Sequence, residues 1–422
     1  MNVKTLLISL AVIIFQRHLL IDALSASTVQ KRSGRSSFLQ KQQQPHSYKR
    51  TPKHIILSPD ELHSLALSLS KRNPGSKGYN RGWIQYRIAA LDSIRYHLYK
   101  NLPHPADKAN FEQLFFNLGV ASDRGEMPSF EDAGARSGYA VEFFCRAKSL
   151  ADLFQDTFNT HYEFPEYWLE GLRESPILGS SESGDFSMVS LGGGPGFDYV
   201  SAAVAASFSS YVESLSCDPD QNSSSISLKL HATILDYEEG WGDLVQAMVN
   251  STETILDRSA PTLSCDWGGK CDITKSIFHP SNAACALLLD SSLWVCQYCV
   301  AENSQLLQES KYIFFRELFQ HAKPGAMFVL SEVHPRLWPE FYQLLEDENC
   351  HMEEVGFNKR GRQMLLRKCD DDNISRSKSG SPSLSEKDQK LLERFIELGK
   401  CHERKIEAGW QRQEPKVRGA KA

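Results

Sequence analysis

A glycine-rich segment is the part of the chain whose residue types most clearly predict ligand binding. The apolar run 188–191 leads into Leu191-Gly-Gly-Gly-Pro-Gly196, and an Ala-rich amphipathic stretch, 200–211, follows. A strand that breaks into glycines and then enters a helix lets the backbone approach a ligand without interference from Cβ atoms, and it directs the helix N-terminus at that ligand. The pattern predicts a cofactor-binding turn, although a purely structural strand-to-helix connection fits the same residues.

The spacing of the glycines argues against two common nucleotide-binding turns. A dinucleotide fingerprint, G-x-G-x-x-G, requires glycine or alanine at position 197, where this chain has Phe197. Pro195 also lacks the backbone N–H that a pyrophosphate needs. A P-loop would continue into Gly-Lys-Ser or Gly-Lys-Thr, and no lysine lies nearby. The turn is therefore predicted to be unsuited to pyrophosphate.

A carboxylate follows the next predicted strand. Asp236 comes directly after the apolar run 230–235, and a carboxylate there can accept hydrogen bonds from both hydroxyls of a ribose. The alternative role for Asp236 is to cap the helix that is expected to begin near Trp241.

The glycine string resembles motif I of class I (Rossmann-like) S-adenosylmethionine-dependent methyltransferases, because Gly192, Gly194 and Gly196 occupy alternate positions. The resemblance covers about residues 185–368. It implies that the turn holds the methionine part of S-adenosylmethionine, that a strand-end acid binds the ribose, and that a later acid and an aromatic ring bind the adenine. The cofactor-binding residues that it implies are Gly192, Gly193, Gly194, Gly196, Asp198, Asp236, Trp241 and Asp272.

One position departs from the family pattern. Members often carry an acid two residues before the first glycine, and this chain has Ser190 there. Asp198 is the candidate that replaces it in contacting the methionine ammonium. The adenine assignments have simple alternatives, since Asp272 is equally explained as a surface acid and Trp241 as a core indole.

Methyl transfer from a sulfonium is an in-line displacement in which the protein mainly positions the acceptor. A base is needed only when the acceptor carries a proton, and the candidates at predicted strand ends are Asp290, Glu332 and His334. A solvated loop residue is the alternative for His334.

The methyl acceptor is left open between an RNA base and a small molecule. A loose resemblance to fungal ribosomal-RNA uridine methyltransferases favours RNA, and Lys359, Arg360 and Arg362 are either phosphate contacts or a solvated hairpin tip. A small aromatic acceptor held by the helical region is the competing hypothesis. A third is a catalytically silent S-adenosylmethionine sensor that recruits a protein partner through its C-terminal helix.

The helices and strands expected around these residues indicate an α/β fold. Short apolar runs alternate with amphipathic stretches from residue 185, which is typical of a mostly parallel, Rossmann-like seven-stranded sheet. The predicted strands are 186–191, 230–235, 261–265, 284–289, 326–331 and the antiparallel pair 353–357 and 363–367. The predicted helices include one that starts at Ser58-Pro59 and others near 83–99, 109–118 and 138–158. The predicted organisation is a leader (1–53), a helical region (54–180), a methyltransferase domain (185–368), a linker (369–383) and a C-terminal helix (384–412).

The N-terminal segment reads as a targeting leader that is removed. A basic start precedes the apolar run 5–15, which is shorter than the roughly 20 residues that a membrane span requires. The Ser- and Arg-rich stretch up to about Lys53 resembles a transit peptide, so the prediction is a plastid or other organelle reached by a secretory-type leader. Simple secretion and a membrane anchor are the alternatives, and no integral membrane role is expected of the mature protein.

Charge and cysteine content narrow the partners. Residues 1–50 carry eight Lys or Arg against one acid, so a net charge of −5 for the whole chain leaves about −12 on the rest. Such a body gives no bulk attraction to nucleic acid. The ten cysteines are scattered, and the pair Cys296 and Cys299 lacks the second pair that a zinc site needs. Most of them are predicted to be free thiols, and no metal site is expected.

Overall fold

A computed structural model gives the fold of the protein. It describes residues 55–70, 77–160, 186–216, 229–256, 262–332, 335–347, 352–357, 362–369 and 386–409. The predicted leader, His334, Lys359, Arg360 and most of the predicted linker lie outside these residues.

A seven-stranded sheet lies at the centre. Its strands are β1 (Phe186–Leu191), β2 (Lys229–Asp236), β3 (Thr262–Lys270), β4 (Leu293–Gln297), β5 (Met327–Ser331), β6 (Met352–Phe357) and β7 (Gln363–Lys368). Their order across the sheet is β3-β2-β1-β4-β5-β7-β6. All neighbouring pairs are parallel except those that involve β7. The predicted fold class, a mostly parallel seven-stranded Rossmann-like sheet, is confirmed.

The helices of the described chain flank this sheet. They are α1 (Pro59–Ser70), α2 (Lys77–Lys100), α3 (Lys108–Arg124), α4 (Ala133–Glu142), α5 (Cys145–Thr160), α6 (Phe197–Ser216), α7 (Gly242–Leu256), α8 (Ala283–Ala286), α9 (Ser304–Glu309), α10 (Ile313–His321), α11 (Trp338–Asp347) and α12 (Glu386–Glu407). The start of α1 is as predicted, because the Ser58 hydroxyl accepts from the Glu61 amide while the Glu61 carboxylate accepts from Ser58.

Side-chain alternation along the strands divides the core into two layers. In β1, Met188 faces the layer that holds helices α1 to α7, whereas Val189 faces the layer that holds α8 to α12. The N-terminal helices thus share one core with the first face of the sheet. The C-terminal helix packs on the second face through Phe395, which is 2% exposed.

Two predicted elements are wrong. The predicted helix 138–158 is two helices, α4 and α5, that meet at Phe143-Phe144. The predicted fourth strand, 284–289, is the short helix α8 followed by turns, and the actual strand β4 begins at Leu293. An apolar run fits a buried strand and a short helix equally well. The run 284–289 is not even fully buried, since Leu287 is 86% exposed.

Candidate functional site

The glycine turn joins β1 to α6 at the carboxyl edge of the sheet. Strand β1 pairs with β2 on one side and with β4 on the other, so strand order reverses at this point. Ligands of open α/β sheets bind in the crevice at such a switch point. The turn requires glycine, because φ is +61° at Gly192, +49° at Gly194 and +92° at Gly196. The turn therefore stands where a ligand is expected.

The backbone N–H groups of the turn are already engaged within the protein. The amide of Gly193 donates to the Leu235 carbonyl (3.1 Å), and that of Gly196 donates to the Gly193 carbonyl (3.0 Å). The amide of Gly194 donates to Asp236 Oδ2 at 3.0 Å, and Pro195 has no N–H. No amide from 193 to 196 is left to cradle a pyrophosphate.

Asp198 is buried at the start of α6, with 3% of its surface exposed. Its carboxylate accepts a hydrogen bond from Ser190 Oγ at 2.6 Å and another from the Gln297 side-chain amide. Burial raises the pKa of Asp198, and these two hydrogen bonds oppose the rise. The acid absent from position 190 is thus supplied by a helix residue that is hydrogen-bonded to Ser190.

Asp236 ends β2 and ties that strand to the glycine turn. Besides Gly194, it accepts from the Glu238 amide at 3.1 Å. Burial raises its pKa to about 7, despite the hydrogen bonds from the Glu238 and Gly194 amides. The alternative that Asp236 caps the following helix is wrong, because the cap of the 3-10 turn Glu239–Trp241 is Glu238, whose carboxylate accepts from the Gly240 amide.

A cleft in two connected parts surrounds these residues. The glycine chamber, about 260 Å³, is lined by Tyr139, Arg146, Gly192, Gly193, Gly194, Pro195, Phe197, Asp198 and Gln297. The aromatic chamber, about 540 Å³, is lined by Met127, Pro128, Phe130, Tyr139, Arg146, Gly192, Gly194, Asp236, Tyr237, Trp241, Cys271, Ile273, Cys299, Glu302 and Asn303. The two chambers share Tyr139, Arg146, Gly192 and Gly194.

The aromatic chamber is roofed by the segment between α3 and α4. The Phe130 ring packs 5.0 Å from the Trp241 ring, and the Tyr237 hydroxyl donates to the Pro128 carbonyl. Arg136 fixes the segment from α4, since its guanidinium donates to the Phe130 and Glu131 carbonyls. Residues of the N-terminal helical region therefore form one wall of the cleft.

Trp241 is both a core residue and part of the cleft. It is 1% exposed, and its ring carbons would lie 3.8 Å from a Cβ on Gly194. Trp241 is therefore a core indole, as the alternative interpretation had it, and it also lies beside the glycine turn, as the cofactor-site prediction had it.

Three residues of the cleft hold buried polar atoms that have no hydrogen-bond partner among the described residues. They are Trp241 (Nε1), Gln297 (Oε1) and Asn303 (Oδ1). Leaving such an atom unpaired costs about 1–3 kcal/mol, and native proteins pair nearly all of them. One unpaired donor and two unpaired acceptors around a single cleft fit a polar ligand, such as adenosine or an amino-acid group.

Asp272 follows β3 but does not line the cleft, although its neighbours Cys271 and Ile273 do. Its carboxylate accepts from the Thr274 amide and hydroxyl and pairs with Lys275 at 3.1 Å. Burial acts to raise the pKa of Asp272, but the contacts from Thr274 and Lys275 outweigh it and the pKa is lowered. Asp272 stabilises a turn in this structure, and an adenine contact stays a prediction.

Of the three predicted base candidates, Asp290 and Glu332 are not brought together. Asp290 is exposed and precedes β4, so it lies at the amino end of that strand, opposite the glycine turn. Its assignment rested on the misplaced fourth strand and is corrected here. Glu332 is 1% exposed, and its Oε1 accepts from the Val300 and Ala301 amides at 2.7 and 3.0 Å. Glu332 holds the loop after β4, and His334 lies outside the described residues.

Several cleft residues were missed at the sequence level. Gln297 ends β4, and correct placement of that strand would have put it at the carboxyl edge. Tyr139 belongs to an aromatic-rich stretch, 139–168, that was expected to contribute to a ligand site without a choice of residue. Arg146 is carried on α5, far from the motif in sequence, and a single sequence holds no signal for it.

The described residues contain no group of three or more His, Cys, Asp or Glu side chains arranged to hold a metal ion. None of the helices described is long and apolar enough to cross a membrane.

Comparisons with known proteins give structural matches only. No family model matches the chain, and no curated protein does. Solved structures that match include a precorrin-6y C5,15-methyltransferase from Geobacter metallireducens, with 14% identity, coverage of 50% of this chain and 90% of that one, and a TM-score of 0.24. Another is a candidate class I S-adenosylmethionine-dependent methyltransferase from Listeria monocytogenes, with 12% identity, coverage of 72% and 90%, and a TM-score of 0.26. Function must therefore be inferred from the residues of the cleft.

Proposed function

We propose that the protein is an S-adenosylmethionine-dependent methyltransferase whose cofactor binds in the two-chambered cleft. The observation that carries this is the state of the glycine turn. Its amides at 193, 194 and 196 are engaged by protein acceptors and position 195 is proline, so the turn suits a cofactor without a pyrophosphate. The turn has the backbone shape of a nucleotide-binding turn, but it lacks free N–H groups at residues 193–196 to bind a phosphate.

The charges of the cleft support the same ligand. The described residues that line it include the acids Asp198, Asp236 and Glu302, and Arg146 is the one Lys or Arg among them. A sulfonium and an ammonium are both cations, which an acid-rich cleft attracts, whereas a pyrophosphate would be repelled.

The cofactor, when bound, supplies an activated methyl group, and the residues of the chain bind and orient it. In this proposal Asp198 contacts the ammonium in the glycine chamber, and Asp236 accepts from the ribose hydroxyls. Trp241 and Asn303 lie in the aromatic chamber, where the adenine is then placed.

The test is titration calorimetry of the full chain with S-adenosylmethionine, S-adenosylhomocysteine and NADH. We expect heat with the first two and none with NADH. Binding of NADH without binding of either adenosyl ligand would refute the proposal.

The acceptor is then sought by following a labelled methyl group into RNA, protein extract and metabolite pools. Transfer to one pool would identify the acceptor class, an RNA base or a small molecule. Cofactor binding without transfer to any of them would favour the sensor function over the enzyme.

A further inference from the structure

We propose that Arg146 is the residue of the cleft that binds a carboxylate, and that it receives the α-carboxylate at the amino-acid end of S-adenosylmethionine. The inference rests on the proposed function and deepens it, because it says which part of the ligand is recognised and by which charge. Asp198 and Arg146 line the same glycine chamber, so one acid and one base face a ligand end that carries one ammonium and one carboxylate.

Arg146 lies where the two chambers meet, since it lines both of them. It is carried by the first turn of α5, and its side chain is 15% exposed. A guanidinium keeps its charge at all physiological pH values. A cation this far removed from water needs an anionic or hydrogen-bonding partner to offset the loss of hydration.

The protein supplies only part of that compensation through hydrogen bonds. A guanidinium carries several N–H donors, and among the described residues that of Arg146 makes a single hydrogen bond, to the Tyr139 hydroxyl. Among the described residues, the Glu302 carboxylate forms an ion pair with Nη2 at 3.8 Å, which is beyond hydrogen-bond distance. The N–H donors that a carboxylate would engage in a bidentate pair are therefore still available.

Aromatic rings hold the guanidinium in place. Its central carbon lies 4.5 Å from the Tyr298 ring centroid, 4.9 Å from that of Phe143 and 5.1 Å from that of Tyr139. Rings that cover the faces of a guanidinium fix its plane and leave its edge free to donate. Tyr298 adopts φ = +63°, a conformation that is uncommon for a residue other than glycine and that often marks a functional site.

The neighbouring acids determine which anion fits. A phosphate brings up to two negative charges beside Asp198, Asp236 and Glu302, which disfavours it. A single carboxylate that is joined to an ammonium brings no net charge. The arrangement of charges therefore selects an α-amino acid group over a phosphate.

The experiment uses ligands that differ in that group. The full chain and its Arg146→Gln variant are titrated calorimetrically with S-adenosylmethionine, with decarboxylated S-adenosylmethionine and with 5′-methylthioadenosine, which lacks the amino-acid group. We expect the variant to bind S-adenosylmethionine about 10- to 100-fold more weakly, as for the loss of a charged hydrogen-bonded pair. Binding of the other two ligands should change by less than about twofold, since neither contains the carboxylate.

Two further variants separate recognition from structure. Arg146→Lys keeps the charge without the planar fork, so its loss of affinity should be intermediate. Arg81→Gln, at an exposed arginine of α2, is the matched control and should bind all three ligands as the original chain does.

An equal loss for all three ligands would show that Arg146 only supports the cleft, and unchanged affinity for S-adenosylmethionine would show that it does not contact the carboxylate. Either result overturns the inference while cofactor binding by the unaltered chain upholds the proposed function. If the unaltered chain binds none of the three, both fall together.

Discussion

Ser190 Oγ donates a hydrogen bond to Asp198 Oδ2 at 2.6 Å, and this contact links the strand that enters the glycine turn to the helix that leaves it. The position where an acid was expected holds the donor, and the acid itself comes from eight residues further along the chain. Asp198 thus supplies the carboxylate, and Ser190 holds it in place together with Gln297, which donates to Asp198 from the neighbouring strand.

Replacing Asp198 should weaken the binding of ligands that carry an ammonium. In Asp198→Asn the negative charge is lost while the side chain keeps its size, so we expect S-adenosylmethionine to bind about 10- to 100-fold more weakly. Calorimetry should show 5′-methylthioadenosine binding unchanged. Ser190→Ala, which removes one donor and leaves the charge, should have a smaller effect, and a larger effect of Ser190→Ala would contradict this role for Asp198.

Asp236 should make cofactor binding depend on pH around neutrality. Its pKa is about 7 in the folded protein, and only the charged form accepts hydrogen bonds from both ribose hydroxyls through both oxygens. Affinity for S-adenosylmethionine should therefore fall by up to about tenfold for each pH unit below 7 and level off above it. Asp236→Asn should bind about 1.5–3 kcal/mol more weakly at pH 8 and lose this pH dependence. A pH profile that is the same in Asp236→Asn would exclude Asp236 as its source.

The same group affects stability in the opposite direction. The folded protein holds the Asp236 proton up to a pH of about 7, whereas the unfolded chain releases it near the ordinary value of 3.8. The folded state binds more protons between these values, so the contribution of Asp236 to the free energy of unfolding declines as pH rises from about 4 to about 7. Melting temperatures of the original chain and of Asp236→Asn, measured without ligand from pH 5 to 8, should diverge in favour of the variant. Parallel curves would contradict the raised pKa.

Neighbouring glycines of the turn should respond differently to alanine. A Cβ on Gly193 would lie 2.2 Å from Ser190 Oγ and 2.8 Å from Ile234 Cγ2, so Gly193→Ala should lower the melting temperature strongly. A Cβ on Gly194 would meet the Trp241 ring at an ordinary 3.8 Å, and φ of +49° costs about 1–2 kcal/mol. Gly194→Ala should fold and lose cofactor affinity, because the added methyl group enters the cleft. The reverse ranking in thermal melts would refute this account.

Glu332 should matter for stability through hydrogen bonding rather than charge. Burial raises its pKa to about 8 despite the Ala301 and Val300 amides, so at neutral pH its uncharged form prevails. Glu332→Gln keeps an oxygen acceptor for both amides and should cost little. Glu332→Ala leaves the buried Val300 N–H and the half-buried Ala301 N–H without this acceptor, at about 1–3 kcal/mol for the buried one. Denaturant titration checks both, and equal losses in the two variants would contradict the assignment.

The sequence predicts a strand well where an apolar run in the sequence is also a buried strand in the structure. β1 was predicted at its exact bounds because an apolar run ends abruptly in glycines. β4 was missed because the run 284–289 is apolar without being a strand, whereas Leu293–Gln297 follows two serines and is fully buried. That one misplacement also moved Asp290 into the predicted site and kept Gln297 out of it.

The site was predictable only in its local part. The glycine turn and Asp198 follow shortly after β1, and Asp236 ends β2, so each could be predicted from the apolar run that precedes it. The pairing of Ser190 with Asp198, and the arrival of Tyr139 and Arg146 from α4 and α5, depend on how distant helices pack on the sheet, and no spacing within the motif encodes that packing.

Met127, Pro128 and Phe130, which form the roof of the cleft, belong to the N-terminal helical region. Ligand binding in the cleft is therefore coupled to the packing of that region on the sheet. About a quarter of the described lining residues come from segments that precede β1, and Arg136 holds the roof by donating to the Phe130 and Glu131 carbonyls. A ligand in the cleft would contact both the N-terminal helices and the sheet. Its binding would therefore stabilise the packed state of those helices against local unfolding. Proteolysis of the helical region should slow in its presence, in proportion to ligand concentration above the dissociation constant.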